Sequence, residues 1–485
     1  ALSPGIHGVS EAKRPGKGDG GGMTDMIRYY STNRGLHGVD GIRPFEGRVS
    51  FREALLQGQA PDEGLFMPDR IPPIPLGKIL ECKGKPYREI ALLVSWAFLE
   101  GEISREDLKA VVDDAYNFPV PLERVTGGRH LLRLDRGPTA SFKDFAARMM
   151  ARLMSAFREE GSRLNVLVAT SGDTGSAVGE AFKGVEGIDV HILYPRKEVS
   201  GRQKKQLDTI GGNVTALSMD GKFDDCQNLV KEAFADPAFG KFHLTSANSI
   251  NFGRILPQTI YYFYAFAELC GPGDTIVFSV PSGNFGDALG CEYARRMGLP
   301  VRKLVMPTNE NDEFPRFLAT GTYEKVSPSR ACLSNAMNVG HPSNLARFFD
   351  LYGGTVDRAG RVFRFPDVEE MRKRIFSVAV SDGETRETIR EAHRRYGVLL
   401  EPHGAVGWKG LETFLEKEGP SGETAVVLET AHPAKFPDEI IDLLGITPEL
   451  PESLKDLDGR PGSPVELSAD YAVLRDYFLD TLRSR

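Results

Sequence analysis

The chain has 485 residues, 41% of them hydrophobic, enough to bury a large core in two or three domains. A formal net charge of −7 gives no global attraction for nucleic acid, and the basic clusters at 202–205 and 372–374 read as solvated helix faces. No apolar run reaches the ~18–20 residues that cross a bilayer. The nine histidines form no HExxH pair and the five cysteines have no CxxC spacing, which excludes a zinc site or disulfide framework of recognisable pattern and suits a reducing, cytoplasmic setting.

In chain order, residues 1–22 are glycine-rich with scattered lysine and proline, and read as a disordered extension with Met23 as a plausible original start. Residues 23–126 are expected to form an N-terminal domain with helices over 51–56, 87–98 and 105–115. Pro68, Pro72, Pro73 and Pro75 mark a loop between the first two helices, since proline lacks the N–H that a helix interior needs. From residue 131 the pattern becomes strand then helix, repeated. Strands are predicted at 131–134, 166–169, 190–194, 213–218, 275–280, 301–306 and 425–428, with helices over 145–157, 201–210 and 223–234 among them. Such alternation predicts an α/β fold with a mostly parallel sheet covered on both faces. Ligands then bind beyond the carboxyl ends of the strands.

Lys143 lies in Thr139-Ala140-Ser141-Phe142-Lys143-Asp144-Phe145, where a strand passes through the turn Arg136-Gly137-Pro138 into a helix. A lysine there can be partly desolvated, which lowers its pKa and suits it to form a Schiff base, although a lysine near a helix start is commonly just solvated. Two further loops sharpen the reading. Ser171-Gly172-Asp173-Thr174-Gly175 follows one predicted strand, and Ser282-Gly283-Asn284-Phe285-Gly286-Asp287 follows another; each leads into a helix. Backbone N–H groups converge in such loops at the positive end of the helix dipole, which favours phosphate or carboxylate. Neither loop matches GxGxxG or GxxxxGK[ST], which argues against a standard dinucleotide or nucleoside triphosphate site. A candidate imine lysine with two anion loops points to a cofactor that carries an aldehyde and a phosphate, and pyridoxal 5'-phosphate has both.

These motifs, with Asn248-Ser249-Ile250-Asn251 and Arg254, Pro342-Ser343-Asn344, Glu401-Pro402-His403-Gly404-Ala405 and Thr430-Ala431-His432-Pro433-Ala434-Lys435, resemble the threonine synthase family in its longer bacterial and fungal branch. The resemblance runs from about residue 27 to 450. Arg136 stands where the family has His, Ala140-Ser141 where Leu-Ala is common, and Asn338 where Asp is usual.

The resemblance implies a tryptophan-synthase-β-like fold of type II: a large cofactor-binding α/β domain (127–144 and 261–485) and a small α/β domain (145–260). It implies a lyase of threonine biosynthesis, acting by γ-elimination and β-addition of water on O-phospho-L-homoserine, as a monomer or homodimer. Lys143 would hold the cofactor and serve as acid and base. Ser282, Gly283, Asn284, Phe285, Gly286 and Asp287 would cradle the cofactor phosphate, and Thr430 would meet the pyridine nitrogen or else bond nearby backbone. Asp173, with Ser171 and Thr174, would lie in the loop that closes on the substrate carboxylate, with Asp173 facing the cofactor hydroxyl; a plain helix N-cap is the other reading of Asp173. Asn248, Ser249, Asn251 and Arg254 would receive the substrate phosphate at a predicted helix start. His403 and His432 read as packing residues. Alternatives left open are a phospho-lyase or serine/threonine dehydratase of the same fold, and a catalytically silent relative.

Overall fold

Apolar runs separated by helices build two largely parallel sheets. The computed structural model describes residues 26–485 except 171, 420, 421, 458, 484 and 485, so the extension expected over 1–22 lies outside the described residues. β1 (Tyr29–Ser31) and β2 (Phe66–Pro68) form an antiparallel pair, and β3 (Leu122–Thr126) and β4 (Arg129–Arg133) a hairpin. Then come β5 (Leu164–Ala169), β6 (Ile188–Pro195), β7 (Val214–Asp220) and β8 (Leu244–Ser246). β9 (Ile276–Ser279) and β10 (Val301–Val305) precede a small ribbon of β11 (Thr355–Val356) and β12 (Val362–Arg364). The last strands are β13 (Ile375–Phe376), β14 (Thr424–Glu429) and β15 (Val465–Ser468).

The first sheet has the order β13-β10-β9-β14-β4-β3, parallel except for the β3–β4 hairpin. The second has the order β15-β7-β6-β5-β8 and is parallel throughout. Every residue of β5 and β6 is buried, as expected of strands covered on both faces, which read as continuous apolar runs rather than alternating ones. Between the sheets, the helix Lys143–Phe157 buries Phe145, Met149, Met150, Leu153 and Met154, and packs against the helix Ile255–Leu269. Each such side chain stabilises by roughly 1.5–3 kcal/mol, which fixes the start of this helix, and Lys143 with it.

Domain boundaries differ from the sequence expectation. The segment 23–126 has no core of its own: Ile27, Phe51, Val94 and Val112 join one core that extends to Leu428, and β3 completes the first sheet. The boundaries expected at 144/145 and 260/261 fall inside the helices Lys143–Phe157 and Ile255–Leu269. Residues expected to end the large domain instead join the second sheet. There β15 pairs with β7, and the helix Tyr471–Arg483 places Leu474 and Phe478 in a core with Leu229 and Phe239. A parallel edge strand left by β7 explains this capture, because an unpaired edge is satisfied by one more strand. Among the described residues no helix is long and apolar enough to cross a membrane.

Candidate active site

Strands β4, β14 and β9 are neighbours, run in one direction and end on the same side of the first sheet. The chain leaving each of them forms part of one site. After β4 the chain turns sharply into the helix Lys143–Phe157, and Asp144 staples the turn by accepting from the Thr139 N–H at 2.9 Å and its Oγ1 at 2.7 Å. Burial pushes the Asp144 carboxyl up to about 6. Ala140 has φ 56°, an uncommon conformation for a residue with a Cβ, and is covered by Leu454 and Leu457. The Phe142 N–H donates to the Thr430 carbonyl at 2.8 Å and the His432 N–H to the Ala140 carbonyl at 3.0 Å. The strips after β4 and β14 are thereby laced together, with Thr430 buried beside the lysine turn.

Lys143 opens its helix, with Nζ 4.7 Å from the centroid of the Phe142 ring. Burial lowers its amine to about 8; Asp173 opposes the shift, while Lys435 and Arg254 add to it. An amine so poised is partly neutral near physiological pH, the form that attacks an aldehyde.

The loop after β9 leaves its backbone donors free for an anion. The N–H groups of residues 283–288 donate to no other described residue, and they stand at the start of the helix Gly286–Arg296. Phe285 at φ 63° shapes this turn. A Cβ on Gly283 would lie 2.9 Å from the Ala336 carbonyl oxygen, so only glycine allows the loop to lie this close to the turn Asn335–Met337. Asn284 Oδ1 accepts from Ser343 N–H at 3.2 Å and Oγ at 3.3 Å, and Ser282 Oγ donates to the Val280 carbonyl at 2.7 Å. The Asp287 side chain is tied down elsewhere. Its Oδ1 accepts from Tyr262 Oη at 2.6 Å and from Tyr261 Oη, and burial raises it to about 6. The carboxylate is turned into the core, so only the Asp287 backbone can serve the cradle.

The second sheet contributes two loops. After β5, Thr170 Oγ1 accepts from the N–H groups of Gly172 and Gly175 at 2.9 Å each, and Gly172 takes φ 136°. Ser171 lies outside the described residues; Thr174 is half-buried. Asp173 is not an N-cap: Gly172 holds that position. Its carboxylate instead pairs with Lys435 Nζ at 2.6 Å and accepts from Gln203 Nε2 at 3.1 Å. Burial raises this carboxyl, but Lys435 and Lys143 more than offset that and hold it well below the usual range.

After β8, Asn248 Nδ2 donates to the Ala169 carbonyl at 2.9 Å, and Ser249 Oγ lies 3.2 Å from Ser343 Oγ. Asn251 is corrected: its Nδ2 donates to the Leu55 and Ser246 carbonyls at 2.8 and 2.9 Å while its Oδ1 accepts from the Gly253 N–H at 2.9 Å. With every donor engaged, Asn251 shapes the loop and has none left for a ligand. Arg254 ends the turn Phe252–Arg254, directly before the helix Ile255–Leu269. It is 3% exposed, one nitrogen donates to the Ala247 carbonyl at 2.6 Å, and Nε is buried without a partner. Burial lowers the guanidinium to about 10.

Outside these loops, His403 Nε2 accepts from the Ala336 N–H at 3.2 Å and Nδ1 meets Glu401 Oε2 at 2.6 Å, so it braces the turn beside Gly283. His432 Nδ1 accepts from the Ala434 N–H at 3.1 Å. At the positions that depart from the family pattern, Arg136 Nε lies 3.3 Å from the buried Asp135, and Asn338 Oδ1 accepts from Asn309 at 2.9 Å and the Cys332 N–H at 3.1 Å. Sequence reasoning missed Lys435, Gln203, Tyr261, Tyr262 and Arg347. The last is fully buried and grips the carbonyls of Phe66, Ser249 and Ile250 at 3.1, 3.1 and 2.7 Å. Lys435 alone carried a signal, a lysine inside the apolar stretch Pro433-Ala434-Lys435-Phe436.

The residues fit pyridoxal phosphate: orphaned N–H donors wait beside a desolvated lysine in a loop too tight for a side chain at Gly283. Such a pairing defines a pyridoxal-phosphate-dependent α/β enzyme, and residues 119–430 match the family model of that description. Residues 41–116 match the threonine synthase N terminus and 404–478 its C-terminal region. Over 447 residues the chain is 40% identical to threonine synthase of Haemophilus influenzae, covering 90% of this chain and 98% of that one. Threonine synthase of Escherichia coli is 38% identical over 443 residues, with the same coverage of 90% and 98%. The crystal structure of pyridoxal-phosphate-bound threonine synthase from Brucella melitensis superposes at a TM-score of 0.84, with 35% identity over 94% of this chain and 100% of that one. The yeast threonine synthase structure gives 0.83 and 31%, covering 94% and 99%. The chain belongs to the threonine synthase family. Its activity is threonine synthesis with pyridoxal phosphate as cofactor, on a fold of type II.

Proposed function

We propose that the substrate is O-phospho-L-homoserine, converted with water to L-threonine and phosphate. Arg254 carries this reading. A buried guanidinium with a free Nε and no carboxylate at ion-pair distance among the described residues is costly to leave alone, and a ligand phosphate completes it. Asn248 and Ser249 stand on the same short loop, and Ser249 reaches Ser343 beside the cofactor cradle. That contiguity supports a substrate whose phosphate lies on one side of the cofactor and whose amino-acid end lies on the other. Ser171 and Thr174 then serve the carboxylate end, while Asp173 on the same loop faces the cofactor hydroxyl.

Gly283 to Asp287 hold the cofactor phosphate through backbone N–H groups, whereas the Ser282 N–H is taken by the Pro307 carbonyl at 2.9 Å and Ser282 only leads into the cradle; the Thr430 hydroxyl meets the ring nitrogen. A neutral hydroxyl there does not hold that nitrogen protonated. Pyridoxal phosphate, when bound, supplies the electron sink for charge that develops on the substrate carbons. Lys143 Nζ fixes the cofactor, and once released takes and returns protons at those carbons. The loops from both sheets exclude water from the site except for the molecule that adds at the β carbon after phosphate leaves the γ carbon.

Arg254→Ala tests the reading. A guanidinium–phosphate contact is worth roughly 1.5–3 kcal/mol, about 10- to 150-fold. kcat/KM for phosphohomoserine should fall by that order with the cofactor absorbance unchanged. If the parent prefers serine or threonine, the substrate assignment fails and the dehydratase reading replaces it; if the variant keeps full activity on phosphohomoserine, Arg254 is not the phosphate site.

A further inference from the structure

Lys435 is a second buried amine beside Lys143, and the mechanism above gives it no task. It closes the turn Pro433–Lys435 just past β14, in the first sheet, with its side chain fully buried. Nζ donates to the Thr139 carbonyl at 3.0 Å and pairs with Asp173 Oδ1 at 2.6 Å. Asp173 opens the helix Asp173–Phe182 of the second sheet, so one ion pair joins the lysine turn, the strip after β14 and the glycine loop after β5. Gln203 Nε2 donates to the same Asp173 oxygen at 3.1 Å, and Gln206 Nε2 to the same Thr139 carbonyl at 3.4 Å. Removing one member of such a buried pair leaves the other charge to find a new partner.

We propose that Lys435 is a positioning residue: its ion pair with Asp173 clamps the loop after β5 against the lysine turn and keeps that carboxylate from pairing with Lys143. The inference rests on Lys143 as the cofactor lysine. Five charged groups face Lys143: Asp173 from the helix Asp173–Phe182, Lys435 from its turn, Arg254 before the helix Ile255–Leu269, Glu401 before the helix Pro402–Glu418, and Asp287 from the helix Gly286–Arg296. Asp173, Glu401 and Asp287 favour the protonated amine; Lys435 and Arg254 disfavour it. Of these, Lys435 acts twice, by repelling the proton on Lys143 and by occupying the carboxylate that would otherwise attract it. Only the neutral amine attacks the cofactor aldehyde, so the pair sets the pH at which the cofactor is captured.

The test uses full-length apo-enzyme mixed with pyridoxal phosphate. Capture is followed by absorbance across pH, and the site is verified by borohydride trapping and peptide mass spectrometry. Lys435→Met should move the midpoint of the capture rate up by about one pH unit, slowing capture at pH 7 about tenfold. Asp173→Asn should move it down, and the double variant should fall between the two. Lys435→Arg, which keeps the charge, should return most of the parent behaviour. Unshifted midpoints in Lys435→Met and Asp173→Asn, or shifts in the same direction, overturn the proposal. If Lys435→Met does not fold, Asp173→Asn decides alone, with an unshifted midpoint counting against it. Failure of the parent to trap cofactor on Lys143 strikes the cofactor-lysine assignment instead, so the two failures are distinguishable.

Discussion

The glycine loop after β9 and the glycine loop after β5 share one grammar, strand then small residues then helix, yet they are built to opposite ends. In the first, the N–H groups of residues 283–288 are left without protein partners while the side chains around them are tied down: Asn284 to Ser343, and Asp287 to two tyrosines. In the second, Thr170 takes two of the N–H groups, and the loop instead offers the buried Asp173 carboxylate, held by Lys435 and Gln203. A rigid frame with free donors suits a permanent cofactor phosphate. A loop held by charge across two sheets suits a substrate that arrives and departs. The same sequence pattern therefore does not fix what a loop binds; what the surrounding elements leave unpaired does.

The widest separation between the loops comes from Lys143, which faces both. Lys143→Ala should abolish cofactor capture and turnover while the circular dichroism spectrum stays that of the parent; retained borohydride-reducible cofactor together with full activity would falsify its role. Next in size are paired glycine substitutions. Gly283→Ala pushes a Cβ to within 3.0 Å of backbone at Ala336, so the frame must shift. Loss of one or two phosphate contacts of roughly 1.5–3 kcal/mol predicts cofactor affinity lower by 10-fold or more in equilibrium titration. Gly172→Ala meets the Gln203 side chain at a backbone angle of φ 136° that residues with a Cβ rarely adopt. It should lower kcat/KM about tenfold and leave cofactor affinity within about twofold. Reversal of those two profiles would sink the division of labour between the loops.

The smallest effect concerns the anchor of the rigid loop. Burial raises the Asp287 carboxyl from 3.8 to about 6, so folding favours its protonated form. The penalty is absent below about pH 4 and grows as pH rises through 6. Asp287→Asn keeps an oxygen for both tyrosines and cannot ionise. Relative to the parent it should therefore gain about 1–3 kcal/mol on going from pH 4 to pH 7, read by denaturant unfolding. No change in the difference would show that the carboxyl is ionised without cost.

Local pattern carried much of the architecture. Continuous apolar runs marked β5, β6, β9 and β14 because a doubly covered strand needs no polar face, and the glycine loops followed the ends of β5 and β9 visibly. The placement of Lys143 at the start of its helix, past a strand and turn, was legible. What stayed hidden depends on partners far along the chain. Asn251 looked like a ligand donor until its amide was seen engaged by Leu55, 196 positions away. For Asp173 a plain N-cap stood open beside a role in the site, and nothing in the local pattern around it pointed to the Lys435 partner from beyond β14. The tyrosine pair that turns the Asp287 carboxylate inward sits on another helix, and no spacing rule connects them. The hairpin β3–β4 escaped because the half-buried β3 is polar at Glu123 and Arg124, without the apolar run that marks a central strand.

β15 gives the order of synthesis a structural meaning. The second sheet has four of its strands by residue 246, but its outer edge at β7 waits for residues 465–468. A growing chain must therefore carry β7 with unpaired N–H and C=O groups while β9, β10, β13 and β14 are all still being made. During that interval the half-built sheet is open to pairing with any other strand nearby. The late-arriving strand and the helix that follows it act as the seal on a half of the molecule that was otherwise complete much earlier.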